Sequence, residues 1–260
     1  MIARIPYERC PLCDAQGFVE VRVASCTAHP LYDAELPPTM RWLKCDGCAH
    51  VFVDGYFSDP AQALLFRNVH LWQVPGPETV RWRAVSAKIV EHVSTTRGAW
   101  SGRWLDVGFG NGALLTTAAE FGYDVIGLDR RDDTVTRMRE LGFDTRCMDI
   151  AAFEVPEGLD VLSMADVLEH MPFPKQGLEH ARRLLRPGGA LFVSMPNIES
   201  FAWTELDREQ KNPYWGEIEH FHNFGRSQLH RLLSASGFEP RRYAISERYL
   251  ASMEVIAVRV

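Results

Sequence analysis

The sequence predicts an α/β protein: a mostly parallel sheet covered by helices on both faces, with a small cysteine-bearing module ahead of it. Three observations carry that prediction. From Gly102 onward, short β-type runs alternate with helical stretches, the order that lays parallel strands side by side with helices as crossovers. The last two β-type runs, PRRYAISER and ASMEVIAVRV, lie close enough to pair as a hairpin, giving the sheet an antiparallel end. Residues 1–57 hold two CxxC pairs among short β-type runs and turn residues, with too little apolar chain for a core of their own.

The module comes first. Its pairs are CPLC, Cys10 to Cys13, and CDGC, Cys45 to Cys48. The opening MIARIPYERC has no apolar signal core, so a cytoplasmic, reducing setting is expected, where such pairs are metal ligands before they are disulfides. Each loop aims two thiolates at one ion, and two loops complete a tetrahedral zinc site with no position open for water. Cys10, Cys13, Cys45 and Cys48 are therefore the expected ligands of a structural Zn²⁺. His29 and His50 lie close enough to substitute, but four thiolates suffice. Cys26 and Cys147 read as ordinary thiols. Neither pair opens a helix, which argues against redox work.

Residues 58–98 turn helical, with apolar positions in VRWRAVSAKIVEHV at i, i+3, i+4 and i+7, and QVPGPE separating two pieces. They read as a linker and pocket lid. Within 99–260, the strand RWLDVG leads into three glycines and the helix ALLTTAAEFGY. DVIGLD, FDTRCMD, LDVLSM and ALFVSMP follow as strands, with helices between them, and RSQLHRLLSASG precedes the closing hairpin. No apolar run approaches the roughly 20 residues of a membrane span. A net charge of −6 argues against a general nucleic-acid grip, and residues 1–60 carry more acidic than basic residues.

Three glycines after a buried strand signal close backbone approach to a ligand, since glycine lacks Cβ and tolerates positive φ. In open parallel sheets that ligand lies beyond the carboxyl ends of the strands, where strand order reverses. The spacing Gly108, Gly110, Gly112 departs from the GxGxxG of dinucleotide sites. Asp106, two residues upstream, suits an ammonium group better than a pyrophosphate. Asp129 ends the second strand, where an acid accepts from both hydroxyls of a ribose; Asp149 ends the third, in reach of an adenine amino group. Each has a plainer reading: Gly112 as helix packing, Asp129 and Asp149 as caps, and His170 as structural.

With DVGFGNG, GLD, CMDI and RPGG in order, and the closing hairpin, residues 100 to 260 resemble the class I S-adenosylmethionine-dependent methyltransferases. The resemblance implies a Rossmann-like sheet with an antiparallel final strand. It also implies cofactor contacts from Asp106, Gly108, Phe109, Gly110, Asp129, Arg130, Asp149, Ile150 and Ala165. The CxxC…CxxC module ahead of this domain, with an EH segment after strand five, is similar to the zinc-containing sugar methyltransferases, some of which use a Glu–His pair in deprotonation. Those proteins carry a further C-terminal nucleotide-binding-type domain that this sequence, ending at Val260, lacks. O-methylation of a sugar, glycan or small metabolite is therefore expected ahead of C-methylation. Two alternatives stand beside it: a ribosomal or transfer RNA methyltransferase with a CPLC-type zinc module, and a non-catalytic zinc-stabilised binding protein.

A hydroxyl acceptor must lose a proton, and YWGEIEHFHNFG, Tyr214 to Gly225, falls where the acceptor pocket is expected. His220 is the candidate general base, with Glu219 and His222 as its orienting neighbours or replacements. Trp203, Tyr214 and Trp215 are expected to wall the acceptor, and Trp72 and Trp82 to close it from the opposite side. The oligomeric state is not legible.

Overall fold

A computed structural model describes residues 2–66 and 73–260, so Trp72 lies outside the described residues. The N-terminal strands are β1 (Ile5–Pro6), β2 (Phe18–Ser25), β3 (Thr39–Cys45), β4 (Val51–Val53) and β5 (Gly55–Tyr56). Helices α1 (Asp59–Phe66) and α2 (Pro77–Arg97) follow, the second stopped by left-handed Gly98, whose N–H reaches the carbonyls of Ser94 and Thr95. Then come β6 (Gly102–Val107), α3 (Ala113–Glu120), β7 (Tyr123–Asp129), α4 (Asp132–Glu140), β8 (Asp144–Cys147) and β9 (Leu159–Ala165). The chain continues through α5 (Pro174–Leu184), β10 (Leu185–Pro196), α6 (Phe201–Arg208), β11 (His222–Asn223) and α7 (Arg226–Ala235), and closes with β12 (Phe238–Ile245) and β13 (Ser252–Arg259).

Seven strands form the main sheet in the order β12-β13-β10-β9-β6-β7-β8. The pairs among β6 to β10 are parallel, and β13 lies antiparallel between β10 and β12. This is a Rossmann-like α/β sheet with the antiparallel ending that the closing hairpin predicted. Its central strands are apolar on both faces because both are covered. Leu105, Leu162 and Val193 pack in one core with Leu178 and Leu184 of α5, while Trp104, Val161 and Phe192 pack in another with Ile89 and Val93 of α2. RPGG lies inside β10, where the register against β9 breaks between Leu185 and Ala190. Left-handed Gly188 lets the strand bulge there without leaving the sheet.

The second sheet has the order β11-β4-β3-β2. Its fourth strand comes from far along the chain: His222 pairs with Phe52 and Asn223 with Val51. The indole of Trp42 donates to the Trp215 carbonyl at 2.8 Å, and Val53 N–H donates to the Phe221 carbonyl at 2.9 Å. One apolar core joins Met40, Trp42 and Val53 to Trp203, Trp215 and Phe221. The cysteine-bearing sheet is thereby seated against the segment that follows strand β10. Among the described residues, no helix is long and apolar enough to cross a membrane.

Strand order reverses between β6 and β9, and the glycine turn leaves β6 at that point. Gly108 has φ +66°, and a Cβ there would stand 2.7 Å from the Val167 side chain. Gly108→Ala should cost about 1–3 kcal/mol through backbone strain and overpacking, measured as a lowered urea midpoint at constant m.

Candidate active site

A cleft of ≈ 820 Å³ opens beyond the carboxyl ends of β6, β7 and β9. Asp106, Gly108, Phe109, Gly110, Asp129, Arg130, Asp149, Ile150 and Ala165 all line it. The opposite wall is built by Arg22 of β2, by His29 in the loop that follows it, and by Tyr214, Trp215, Gly216, Glu217 and Glu219. Gly112 does the plainer job: its φ is +75°, and a Cβ would meet Met138 at 2.8 Å, so it admits α4 against α3.

Asp106 is 2% exposed and accepts from Ser163 Oγ at 2.6 Å, a hydroxyl that itself accepts from the Trp104 indole at 2.8 Å. Burial pushes its carboxyl up to about 7, with the Ser163 bond working against the rise. Such a group needs a counter-charge. Asp129 is held differently. One carboxylate oxygen accepts from the Arg131 backbone N–H at 3.0 Å and Arg131 Nε at 2.9 Å. The other accepts from Gly110 N–H at 3.2 Å and Arg131 Nη2 at 2.9 Å. The guanidinium thus covers the acid, and its Nη1 reaches Gln73. Arg130, by contrast, donates to Gln62 of α1 at 2.8 Å. Asp149 caps a short 3₁₀ turn by accepting from Ala151 N–H at 2.9 Å, which sets Ile150 into the wall.

The residues expected on the acceptor side separate into two groups. His220 and Glu219 line the cleft with His170, whose ring meets His220 edge to face at 4.7 Å between centroids. His170 Nδ1 donates to the Glu219 carbonyl at 3.1 Å. His222 does not join them. Its Nε2 donates to the Met171 carbonyl at 3.0 Å, so its Nδ1 accepts from His50 Nε2 at 3.1 Å, and both nitrogens are used. Burial lowers its pKa to about 4. The expectation that His222 orients or replaces His220 is corrected by that geometry: β11 turns it into the N-terminal sheet. His50 is likewise buried there, its ring partnered by His222 and outside the four-cysteine cluster. Tyr214 and Trp215 line the cleft, as does Trp82, whereas Trp203 stacks behind Tyr214 at 5.2 Å in the core.

Four partners were not legible in the sequence: Arg131, Asp166, Arg248 and Glu169. Asp166, with φ +55°, accepts from Arg248 Nη2 at 2.6 Å and from Ser194 Oγ at 3.2 Å. The strained backbone was invisible in the sequence, but VLEH directly after a strand end marks Glu169 as worth following. His29 ion-pairs with Glu217 across the cleft wall; burial opposes its charged form, but Glu217 outweighs burial and raises the pKa.

The four cysteines cluster as expected from the spacing. Cys10 and Cys48 sulfurs are 3.6 Å apart, Cys13 and Cys45 sulfurs 3.5 Å, and all four lie within 4.8 Å of one another. A tetrahedron with Zn–S bonds of ~2.3 Å has edges of about 3.8 Å. The donor set fits that ion.

Residues 80–243 match the family model described as "Methyltransferase domain". A ubiquinone biosynthesis O-methyltransferase of Aliivibrio fischeri is 29% identical over 197 residues, 70% of this chain and 84% of that protein. Among solved structures, magnesium protoporphyrin IX methyltransferase from Synechocystis PCC 6803 with bound SAH superposes with a TM-score of 0.56 at 19% identity, covering 74% of this chain and 89% of the other. The 1,6-didemethyltoxoflavin-N1-methyltransferase of Burkholderia thailandensis, also with S-adenosylhomocysteine, gives 0.57 at 15% identity, over 83% and 97%.

Proposed function

We propose a reaction for this chain from one premise: it belongs to the methyltransferase-domain family and is an S-adenosylmethionine-dependent methyltransferase. The observation that carries the reading further is a single cleft with carboxylates at successive strand ends on one side and His220 on the other. Asp106, buried so deeply that the charge of Arg248 offsets only part of the penalty, receives the cofactor's ammonium group, which would restore its ionised form. Asp129 receives the ribose hydroxyls, which requires the Arg131 side chain to exchange its place for them. Asp149 and Ile150 flank the adenine. Bound there, the cofactor supplies an electrophilic methyl on a sulfonium.

Asp129→Ala should weaken cofactor binding by about 1.5–3 kcal/mol, the range for hydrogen bonds to a charged group. Calorimetry reads this directly, and an unchanged affinity removes Asp129 from the site.

On the acceptor side, alignment of the reacting oxygen with the methyl supplies much of the rate. His220 takes the hydroxyl proton. Burial first, then the neighbouring His170, lowers its pKa well below 6.5, so the ring is neutral at pH 7 and able to accept. The relatives are named for ubiquinone biosynthesis O-methylation, which gives no support to the sugar or glycan acceptor expected from the sequence. We narrow the acceptor to a small hydroxylated metabolite with a flat face, matched by Tyr214 and Trp215. Transfer of a labelled methyl group to a panel of phenols, sugars and nucleotide sugars decides between them; turnover confined to the sugars would reverse this choice. Cys10, Cys13, Cys45 and Cys48 hold a structural zinc ion.

A further inference from the structure

His220 has one nitrogen, Nδ1, sealed from solvent with no hydrogen-bond partner among the described residues. A base that works through the other nitrogen needs something to hold this one, both to fix the tautomer and to balance the charge that arrives with the proton. Glu169 is the adjacent acid. It is 0% exposed, neither carboxylate oxygen has a hydrogen-bond partner among the described residues, and it lines the same cleft. One ligand atom each from Glu169, His170 and His220 lie within 4.8 Å of one another, a separation that one bridging water spans. The main chain keeps them together: Phe221 N–H, next to His220, donates to the Glu169 carbonyl at 2.9 Å. A carboxyl serving packing alone would not be left buried and unsatisfied.

We propose that Glu169 is the positioning and charge-balancing partner of His220, accepting from Nδ1–H as a carboxylate while the other ring nitrogen takes the acceptor's proton. The inference rests on His220 being the base. In the step itself, the acceptor O–H proton passes to His220, the oxygen forms its bond to the methyl carbon, and the C–S bond breaks with its electrons left on sulfur. The imidazolium so formed faces the Glu169 carboxylate, and the proton leaves to solvent when the product departs.

This arrangement has a pH signature. Burial, then Asp166, hold Glu169 well above 4.5, with Arg248 pulling the other way and Glu219 adding to the rise. His220 is faced by His170, Glu219, His29 and His222, and sits well below 6.5. The carboxyl must be ionised and the ring neutral, so activity rises with pH as Glu169 loses its proton. The acid limb of kcat then belongs to Glu169, and lies above the ordinary carboxylate range.

The test is Glu169→Gln in the full-length protein, which keeps shape and an accepting oxygen but cannot ionise. We expect kcat to fall roughly 10- to 100-fold, a part of the ~10²–10⁴ that a positioned base supplies, with cofactor affinity retained as the sign of an intact fold. The acid limb should move to lower pH, and Glu169→Asp should restore part of the rate. An unmoved limb in Glu169→Gln overturns the proposal, as does a wild-type limb at the ordinary carboxylate value. Wild-type turnover abolished by EDTA and restored by Mg²⁺ or Mn²⁺, with cation binding lost in Glu169→Gln, also overturns it in favour of a cation held by these side chains. Failure of the base reading itself shows separately, in His220→Ala with Glu169 intact.

Discussion

Removing the zinc proposed for the four-cysteine site, or replacing Cys45 by serine, should reduce methyl transfer to background while S-adenosylmethionine still binds. Structural zinc contributes apparent free energies of about 10–16 kcal/mol in isolated zinc-finger peptides, far more than a sheet this small gains from its apolar contacts. Cys45 ends β3, and the same sheet runs through β4 into β11, two residues after His220. Trp42 anchors the Trp215 carbonyl, and the Tyr7 hydroxyl donates to the Pro172 carbonyl at 2.8 Å. Losing the sheet therefore removes the acceptor wall and loosens His220, whereas Asp106, Gly108 and Asp129 rest on β6 and β7 and stay in place. Elemental analysis, calorimetry with the cofactor and a turnover assay on one preparation test all three parts. Protein free of metal that keeps full turnover would refute the assignment.

Replacing His220 by alanine should lower kcat by roughly two to four orders of magnitude with cofactor affinity nearly unchanged. His220 is only 6% exposed, so the variant also leaves a small void, and a thermal melt must accompany the kinetics. Should KM rise while kcat holds, His220 only positions the acceptor. A normal kcat across the pH range would leave methyl transfer to alignment alone, with Glu219 the next residue to replace.

The side of the cleft proposed for the cofactor was largely legible as a cleft wall because its parts lie on local signals. A glycine turn after an apolar strand, and acids at the next strand ends, follow from strand periodicity and the rule that ligands gather at carboxyl ends. The acceptor side was legible only as a segment. EIEHFH announces proton chemistry but not which histidine faces the cleft, because a two-residue pairing with β4 decides it, and that pairing has no local pattern. Arg131 was hidden for a different reason. It reads as the start of a charged helix, and nothing in the run RRDD says that the guanidinium folds back over Asp129 rather than out to water. Glu169 was overlooked because burial of a carboxyl is a property of what packs over it, here residues supplied from as far away as Phe221 and Arg248.

The pairing of β11 with β4 also bears on how the chain assembles. His50 and His222, which meet across it, stand 172 positions apart. At about 5–20 residues per second, a ribosome takes roughly 10–35 s to deliver the second after the first. Through that interval the N-terminal strands wait with the β4 edge open, an invitation to pairing with a neighbouring nascent chain. The four cysteines, however, have all emerged by residue 48. On the proposed zinc assignment, metal capture would clamp the early strands long before their fourth member arrives, making ion supply a matter of yield during synthesis as well as of stability afterwards. A chain stopped at Gly216 should aggregate where the full chain does not, and the more so when translated without zinc.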